Sequence, residues 1–80
     1  MGEKLKQKRI ERGYSQQQLS NITGINVWTI RQYEQGRRDI DLAQANILAV
    51  LADALDCTME ELMEKEYRAK KRKIRRSRNE

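Results

Sequence analysis

The chain of 80 residues has no histidine, no proline, a single cysteine, and only one tryptophan and three tyrosines. Without histidine it lacks the commonest general base and metal ligand at neutral pH. One thiol, Cys57, rules out an internal disulfide and a cysteine-only metal cluster within one chain, and suits a reducing cytosol. No apolar run approaches the roughly 20 residues of a membrane span, and no signal-peptide core follows the N-terminus. Met1-Gly2 looks like the start of an acylation site, but Lys6 stands where Ser or Thr is required. A domain this small buries only about 60% of its unfolded surface, which leaves little room for a catalytic cleft. There is no phosphate loop and no set of paired catalytic groups. An enzyme is therefore disfavoured, and no cofactor, metal, small-molecule ligand or membrane partner is expected.

What the chain does have is charge, arranged in blocks. Residues 1–38 hold eight Lys/Arg and three Glu, a net +5. Residues 39–64 hold no Lys or Arg and seven Asp/Glu, a net −7, and residues 65–80 hold nine Lys/Arg and two Glu, a net +7. Such asymmetry in a short chain points to a polyanionic partner met by an oriented surface.

Helical signals recur along the chain, with no internal repeat and no linker. Residues 3–12 predict a first helix, with Leu5 and Ile10 inward and Gly13 ending it in a left-handed cap. Ser15 with Gln18 predicts a capping box for a short second helix, about 16–23. Gly24 supplies the positive φ of a sharp turn, and Asn26 caps a third helix that reaches about Gln35 before Gly36. Asp41 is the expected cap of a fourth helix, 42–55, with Leu48, Leu51, Ala52 and Leu55 on one face. Thr58 with Glu61 predicts a fifth helix with Met59 and Leu62 inward. The i,i+4 pairs Glu61/Lys65, Glu64/Arg68 and Glu66/Lys70 could carry it into the tail.

The segment Ser15–Gly36, SQQQLSNITGINVWTIRQYEQG, has the spacing of a helix-turn-helix. Leu19, Ile25, Ile30 and Tyr33 fall at its apolar positions, Ser20 at its small position and Gly24 at its glycine. The small residue lets the two helices cross closely, and the apolar four plug the angle between them. The outer face of the third helix is then left for the major groove of DNA.

With LKQKRIERGYSQQQLS, GINVWTIRQYEQG and LADALDCTMEELM in that order, residues 4–63 resemble the Cro/CI-type (XRE-like) family of bacterial and phage DNA-binding proteins. The resemblance implies an all-α, five-helix, lambda-repressor-like domain. It also implies a partly buried ion pair between Arg9 and Glu34 that orients the third helix. One departure is visible: the stretch between Gly36 and the fourth helix is about three residues longer than the commonest family pattern.

On the third helix (26–35) Ile30 and Tyr33 face inward. Asn26, Val27, Trp28, Arg31 and Gln32 are the candidate base readers, and the family's reading positions match Val27, Trp28 and Gln32. Gln32 suits the N6/N7 edge of adenine, whereas Val27 and Trp28 suit thymine methyls and sugars. Gln16, Gln17, Thr29, Arg37 and Arg38 are candidate phosphate contacts, with Lys6 and Arg12 weaker ones. The competing reading for each is an ordinary solvated helix residue, and for Trp28 an exposed flap of core.

Residues 1–66 are read as the DNA-binding domain and 67–80 as a basic C-terminal tail, a helical extension or disordered. In that tail Lys70, Lys71, Arg72, Lys73, Arg75, Arg76 and Arg78 could hold neighbouring phosphates, stay solvated, or fold back on the acidic block. Cys57 is expected to be a buried, inert thiol. The resemblance further implies a homodimer on an inverted repeat of double-stranded DNA, with Ile47, Met63, Tyr67 and Ile74 as interface candidates. The whole reads as a small transcriptional regulator, a repressor by family resemblance, cytoplasmic and nucleoid-associated in a bacterium or phage. The alternative is an antitoxin-like or other partner-binding adaptor, or an RNA-binding module using the tail.

Overall fold

The computed structural model describes residues 2–65, in which four α-helices and one 3-10 turn follow one another without a strand. They are α1 (Glu3–Glu11), α2 (Gln16–Thr23), α3 (Val27–Glu34), the turn Ile40–Leu42, and α4 (Ala45–Leu55). The all-α class stands. The fifth helix does not form among these residues, and the basic tail lies outside them.

The boundaries of the first three helices follow from local chemistry. Glu3 opens α1 while Lys8 and Arg9 close it, each sign at the dipole end that favours it. Beyond α1 the Gly13 N–H donates to Ile10 O at 2.9 Å and the Tyr14 N–H to Arg9 O at 3.2 Å, a Schellman stop that needs the positive φ of 78° at Gly13. The same pair of bonds ends α3, from Gly36 to Tyr33 O at 3.2 Å and from Arg37 to Gln32 O at 2.9 Å. Both halves of the Ser15/Gln18 capping box are made, at 3.0 and 2.8 Å. Asn26 caps α3 through the Trp28 N–H at 2.7 Å.

Leu5, Leu19, Ile30, Ile40, Leu51, Leu55 and Leu62 are the fully buried side chains around which these helices assemble. Each contributes about 1.5–3 kcal/mol by leaving water. Ile10, expected inward, is 58% exposed. The inward positions of α1 are Leu5 and, one turn on, Arg9. Ile10 lies about 100° further round the helix, so a charged residue holds the place an apolar pattern would assign to it.

Two corrections concern the C-terminal half. Helix α4 starts at Ala45, not at 42, and Asp41 does not cap it. Asp39 instead caps the 3-10 turn through the Asp41 N–H at 3.0 Å. The Asp41 carboxylate accepts the N–H groups of Glu64 at 2.7 Å and Lys65 at 3.0 Å. The expected fifth helix is a succession of turns closed by three-residue hydrogen bonds, Leu62 to Met59 O at 3.0 Å and Met63 to Glu60 O at 3.2 Å. Thr58 Oγ1 does accept the Glu61 N–H at 3.2 Å, but the Glu61 carboxylate turns to Lys8 Nζ at 3.4 Å. Leu62 is buried all the same, and Met59 and Met63 pack against the core. Residues 58–65 thus form a strap of short backbone turns that side chains fasten to the rest of the domain, in place of a continuous helical ladder.

The strap reaches back to the start of the chain. Glu64 Oε2 accepts the N–H of Gly2 at 3.1 Å and of Lys4 at 3.2 Å, two donors that no residue within α1 can satisfy. Gly2 is buried with φ +83°, and a Cβ there would overlap the carbonyl oxygen of Tyr33. Gly2→Ala is expected to cost roughly 1–3 kcal/mol, from the left-handed backbone and the overlap together. Urea denaturation checks this, and an unchanged midpoint would mean that the terminus does not dock on α3.

Candidate nucleic-acid interface

Helices α2 and α3 meet across a turn whose polar groups are answered locally. Gly24 takes φ +79°, Thr23 Oγ1 donates to Leu19 O at 2.8 Å and accepts the Ile25 N–H at 3.1 Å, and Ser20 Oγ donates to Ile25 O at 2.5 Å. Leu19, Ile25, Ile30 and Tyr33 are buried in the angle between the helices. A turn with its hydrogen bonds filled and its apolar groups locked behind it holds α3 at one angle. The outer face of α3 is what remains for a partner.

A buried ion pair links that helix to α1. Arg9 Nε donates to Glu34 Oε2 at 2.7 Å, and Nη2 to Glu34 Oε1 at 3.0 Å, a bidentate geometry that a guanidinium and a carboxylate match plane to plane. Arg9 Nη1 donates to Tyr14 O at 2.8 Å, so the guanidinium also closes the corner between α1 and α2. Gln16 joins this cluster: its Nε2 donates to Glu34 Oε1 at 3.0 Å, while its Oε1 accepts from Arg31 Nε at 3.2 Å. The Arg31 guanidinium lies over the Trp28 ring, 5.3 Å from its centroid. From Arg9 to Trp28 there is therefore one continuous chain of polar and cation–π contacts.

The candidate residues fall into separate groups. Arg31 and Trp28 stand together, Trp28 62% exposed and Arg31 half-buried against it. Gln32 is drawn the other way, its Oε1 accepting from Arg38 Nε at 2.8 Å. Asn26 is exposed, with its amide oxygen engaged in the cap, and Val27 is half-buried beside it. Gln17 is exposed on α2 and donates to Asn21 Oδ1 at 3.0 Å. Arg37 and Arg38 are exposed directly after α3. Thr29 and Arg38 share the wall of an open groove of about 540 Å³ with Asn26, Tyr33, Leu42 and Ile47. Leu42, at 81% exposure, is the most exposed large apolar residue among those described. Of the proposed interface residues, Ile47 and Met63 are partly buried against the core, while Tyr67 and Ile74 lie outside the described residues.

The charge blocks of the sequence touch one another on the side of α1. Lys8 sits 3.4 Å from Glu61, and Arg12 sits 3.8 Å from Asp56. Arg12 thus has a protein carboxylate near it, a weak exposed pair by its distance and setting. Cys57, expected to be buried, is only partly so; that partial burial pushes the thiol up, the carboxylates of Glu61 and Asp56 push it further, and Lys8 offsets part of this. The neutral thiol therefore predominates at physiological pH, the form that is a poor nucleophile and metal ligand.

Sequence reasoning missed the parts played by three residues, Asp41 having been assigned to the cap of the fourth helix. Gly2, Asp41 and Glu64 position α1, the 3-10 turn and the strap around the back of α3, and each does so through partners at least 23 residues away. The bridge formed by Gln16 was missed for the same reason: a glutamine at the start of a helix carries no local mark of a carboxylate and a guanidinium on another helix.

Among the described residues, no helix is long and apolar enough to cross a membrane, and no group of three or more His, Cys, Asp or Glu is placed to hold a metal ion. Neither a comparison with curated proteins nor one with solved structures finds a match. A helix-turn-helix family model, however, matches residues 5–62, from the buried Leu5 of α1 to the buried Leu62 of the strap. The family is one of DNA-binding regulatory domains rather than of enzymes. With the tight turn, the buried apolar angle and the outward face of α3 all inside the matched segment, the chain belongs to the Cro/CI-type (XRE-like) helix-turn-helix family and carries its double-stranded DNA-binding domain.

Proposed function

We propose that this protein is a sequence-specific transcriptional regulator that lays α3 in the major groove, and that it represses by occupying its site. The observation that carries this reading is the bracing of α3. Its outer residues are exposed or half-exposed, while its inner face is buried and tied to α1 and α2 through Glu34. A helix held this firmly presents side chains to base edges in one register, which non-specific binding does not need. Arg37 and Arg38 at its end, and the groove walled by Thr29 and Arg38, suit the phosphate backbone beside the reading face. Repression by occlusion requires only that a bound protein exclude another from the same DNA.

One such domain covers few base pairs, so the protein acts as a homodimer on an inverted repeat. Selection from random duplexes tests the proposal. The expected product is a consensus of two inverted half-sites with centres about 10–10.5 base pairs apart or a multiple of that. Recovery of no consensus, with equal affinity for RNA, would favour an adaptor working through its basic residues.

A further inference from the structure

We propose that Arg31 and Trp28 act as a single preformed reading unit for a guanine and the thymine next to it, Arg31 taking the guanine and Trp28 the thymine methyl. This rests on the reading of α3 as the major-groove helix. A guanidinium has five N–H donors in one plane. In Arg31 the Nε–H is engaged by Gln16 Oε1 at 3.2 Å, and one face of the plane is covered by Trp28 at 5.3 Å. Gln16 is held in turn by Glu34, at 3.0 Å, and Glu34 by Arg9. Both the plane of the guanidinium and its rotation within that plane are thereby set before any DNA arrives.

The terminal Nη1 and Nη2 groups form the end of that fork, and they suit two acceptors side by side. In the major groove guanine offers such a pair, O6 and N7, whereas adenine places a donor beside N7. Trp28 brings a large exposed apolar surface and a single N–H donor. Thymine alone presents a methyl group in the major groove. Because the ring and the guanidinium are stacked, their contacts fall on neighbouring base pairs. Gln32, tied to Arg38, lies outside this unit.

The test uses the full-length protein and the half-site recovered by selection, with single-atom changes in the DNA. Replacing the critical guanine by 7-deazaguanine removes N7 and is expected to weaken wild-type binding by roughly 5- to 150-fold. The same change should have no further effect on R31A. Replacing the adjacent thymine by uracil removes one methyl and is expected to weaken wild-type binding by about 4-fold, with no further effect on W28A. R31K keeps the charge but loses the planar fork and its stacking on Trp28, so its discrimination for guanine should fall well below that of wild type. Gln16→Ala should lower discrimination at the guanine while leaving the uracil effect in place. If R31K restores binding, and 7-deazaguanine acts equally on wild type and R31A, Arg31 holds a phosphate and the inference is overturned. A selection that yields no consensus would overturn the regulator reading itself. A consensus whose guanines and thymines show no coupling to these two residues would overturn only this inference.

Discussion

Replacing Glu34 with alanine is expected to destabilise the domain by about 3–5 kcal/mol, the usual cost of stripping one partner from a buried ion pair. The carboxylate answers three donors: Arg9 Nε at 2.7 Å, Arg9 Nη2 at 3.0 Å and Gln16 Nε2 at 3.0 Å. Its removal leaves the Arg9 guanidinium largely buried with only the Tyr14 carbonyl as an acceptor in this cluster. Domains of this kind have about 5–15 kcal/mol of stability in all, so the variant is expected to stand near the edge of unfolding. At roughly 4–8 °C per kcal/mol, the midpoint of thermal unfolding should fall by more than 10 °C. Urea denaturation at neutral pH gives the free energy directly, and a loss below about 1 kcal/mol would show that the pair is not buried in solution.

Stability and positioning separate in a second variant. Changing Arg9 and Glu34 together to methionine and leucine removes both charges and should restore most of the lost stability, since apolar replacements of buried pairs are often neutral or better. It restores nothing to Gln16, whose Nε2 would have lost its acceptor. A double variant that is stable but less discriminating toward DNA would show that Glu34 serves the reading face as well as the core. One that is both stable and fully discriminating would confine Glu34 to a structural role.

Leu62→Ala is expected to cost about 2–5 kcal/mol, as for other fully buried leucines. The number matters because of where Leu62 sits. Its segment has no continuous helical ladder, so an alternative view would treat residues 58–65 as a loose end with little bearing on the domain. The structure places Leu62 at zero exposure within the core, with Asp41 and Glu64 fastening the backbone that follows it and Lys8 paired with Glu61 just before it. Leu42→Ala is the control. That side chain is 81% exposed, and its loss should change stability by no more than about 0.5 kcal/mol. Equal effects of the two substitutions would contradict the assignment of the strap to the core.

The parts of this fold that were legible in the sequence are those whose signals lie within a few residues of one another. The Ser15/Gln18 box, the Asn26 cap and the glycines at 13, 24 and 36 mark the helix ends, because each hydrogen bond involved spans five residues or fewer. The apolar positions of α4 were legible because the helical period repeats them on one face. Ile10 misled because hydrophobicity is a proxy for burial, and the neighbouring Arg9 is buried through a partner 25 positions away. Thr58 and Glu61 misled because Glu61 had two possible partners, the Thr58 backbone and Lys8, and only the approach of α1 favours the second.

The same division runs through the candidate site. That Asn26, Val27, Trp28, Arg31 and Gln32 occupy the outer side of α3 follows from the placing of Ile30 and Tyr33, since the helical period carries the remaining side chains outward. What each of those side chains holds does not follow. Gln16 meets the Arg31–Trp28 pair only once α2 and α3 have met in space, and Gln32 meets Arg38 only through the path of the loop that follows α3.

By itself, then, the sequence determined that this chain is all-helical, where its first three helices begin and end, and that it contains a helix-turn-helix. These are encoded by backbone conformations and hydrogen bonds closed within a turn or two of chain. The tertiary structure alone decided that Glu64 caps α1, that Asp41 fastens the strap, that Gly2 lies against the Tyr33 carbonyl and that Gln16 steers Arg31. In each of these the contact joins groups 15 or more residues apart, so its partner is chosen by the packing of the core and not by the neighbouring sequence.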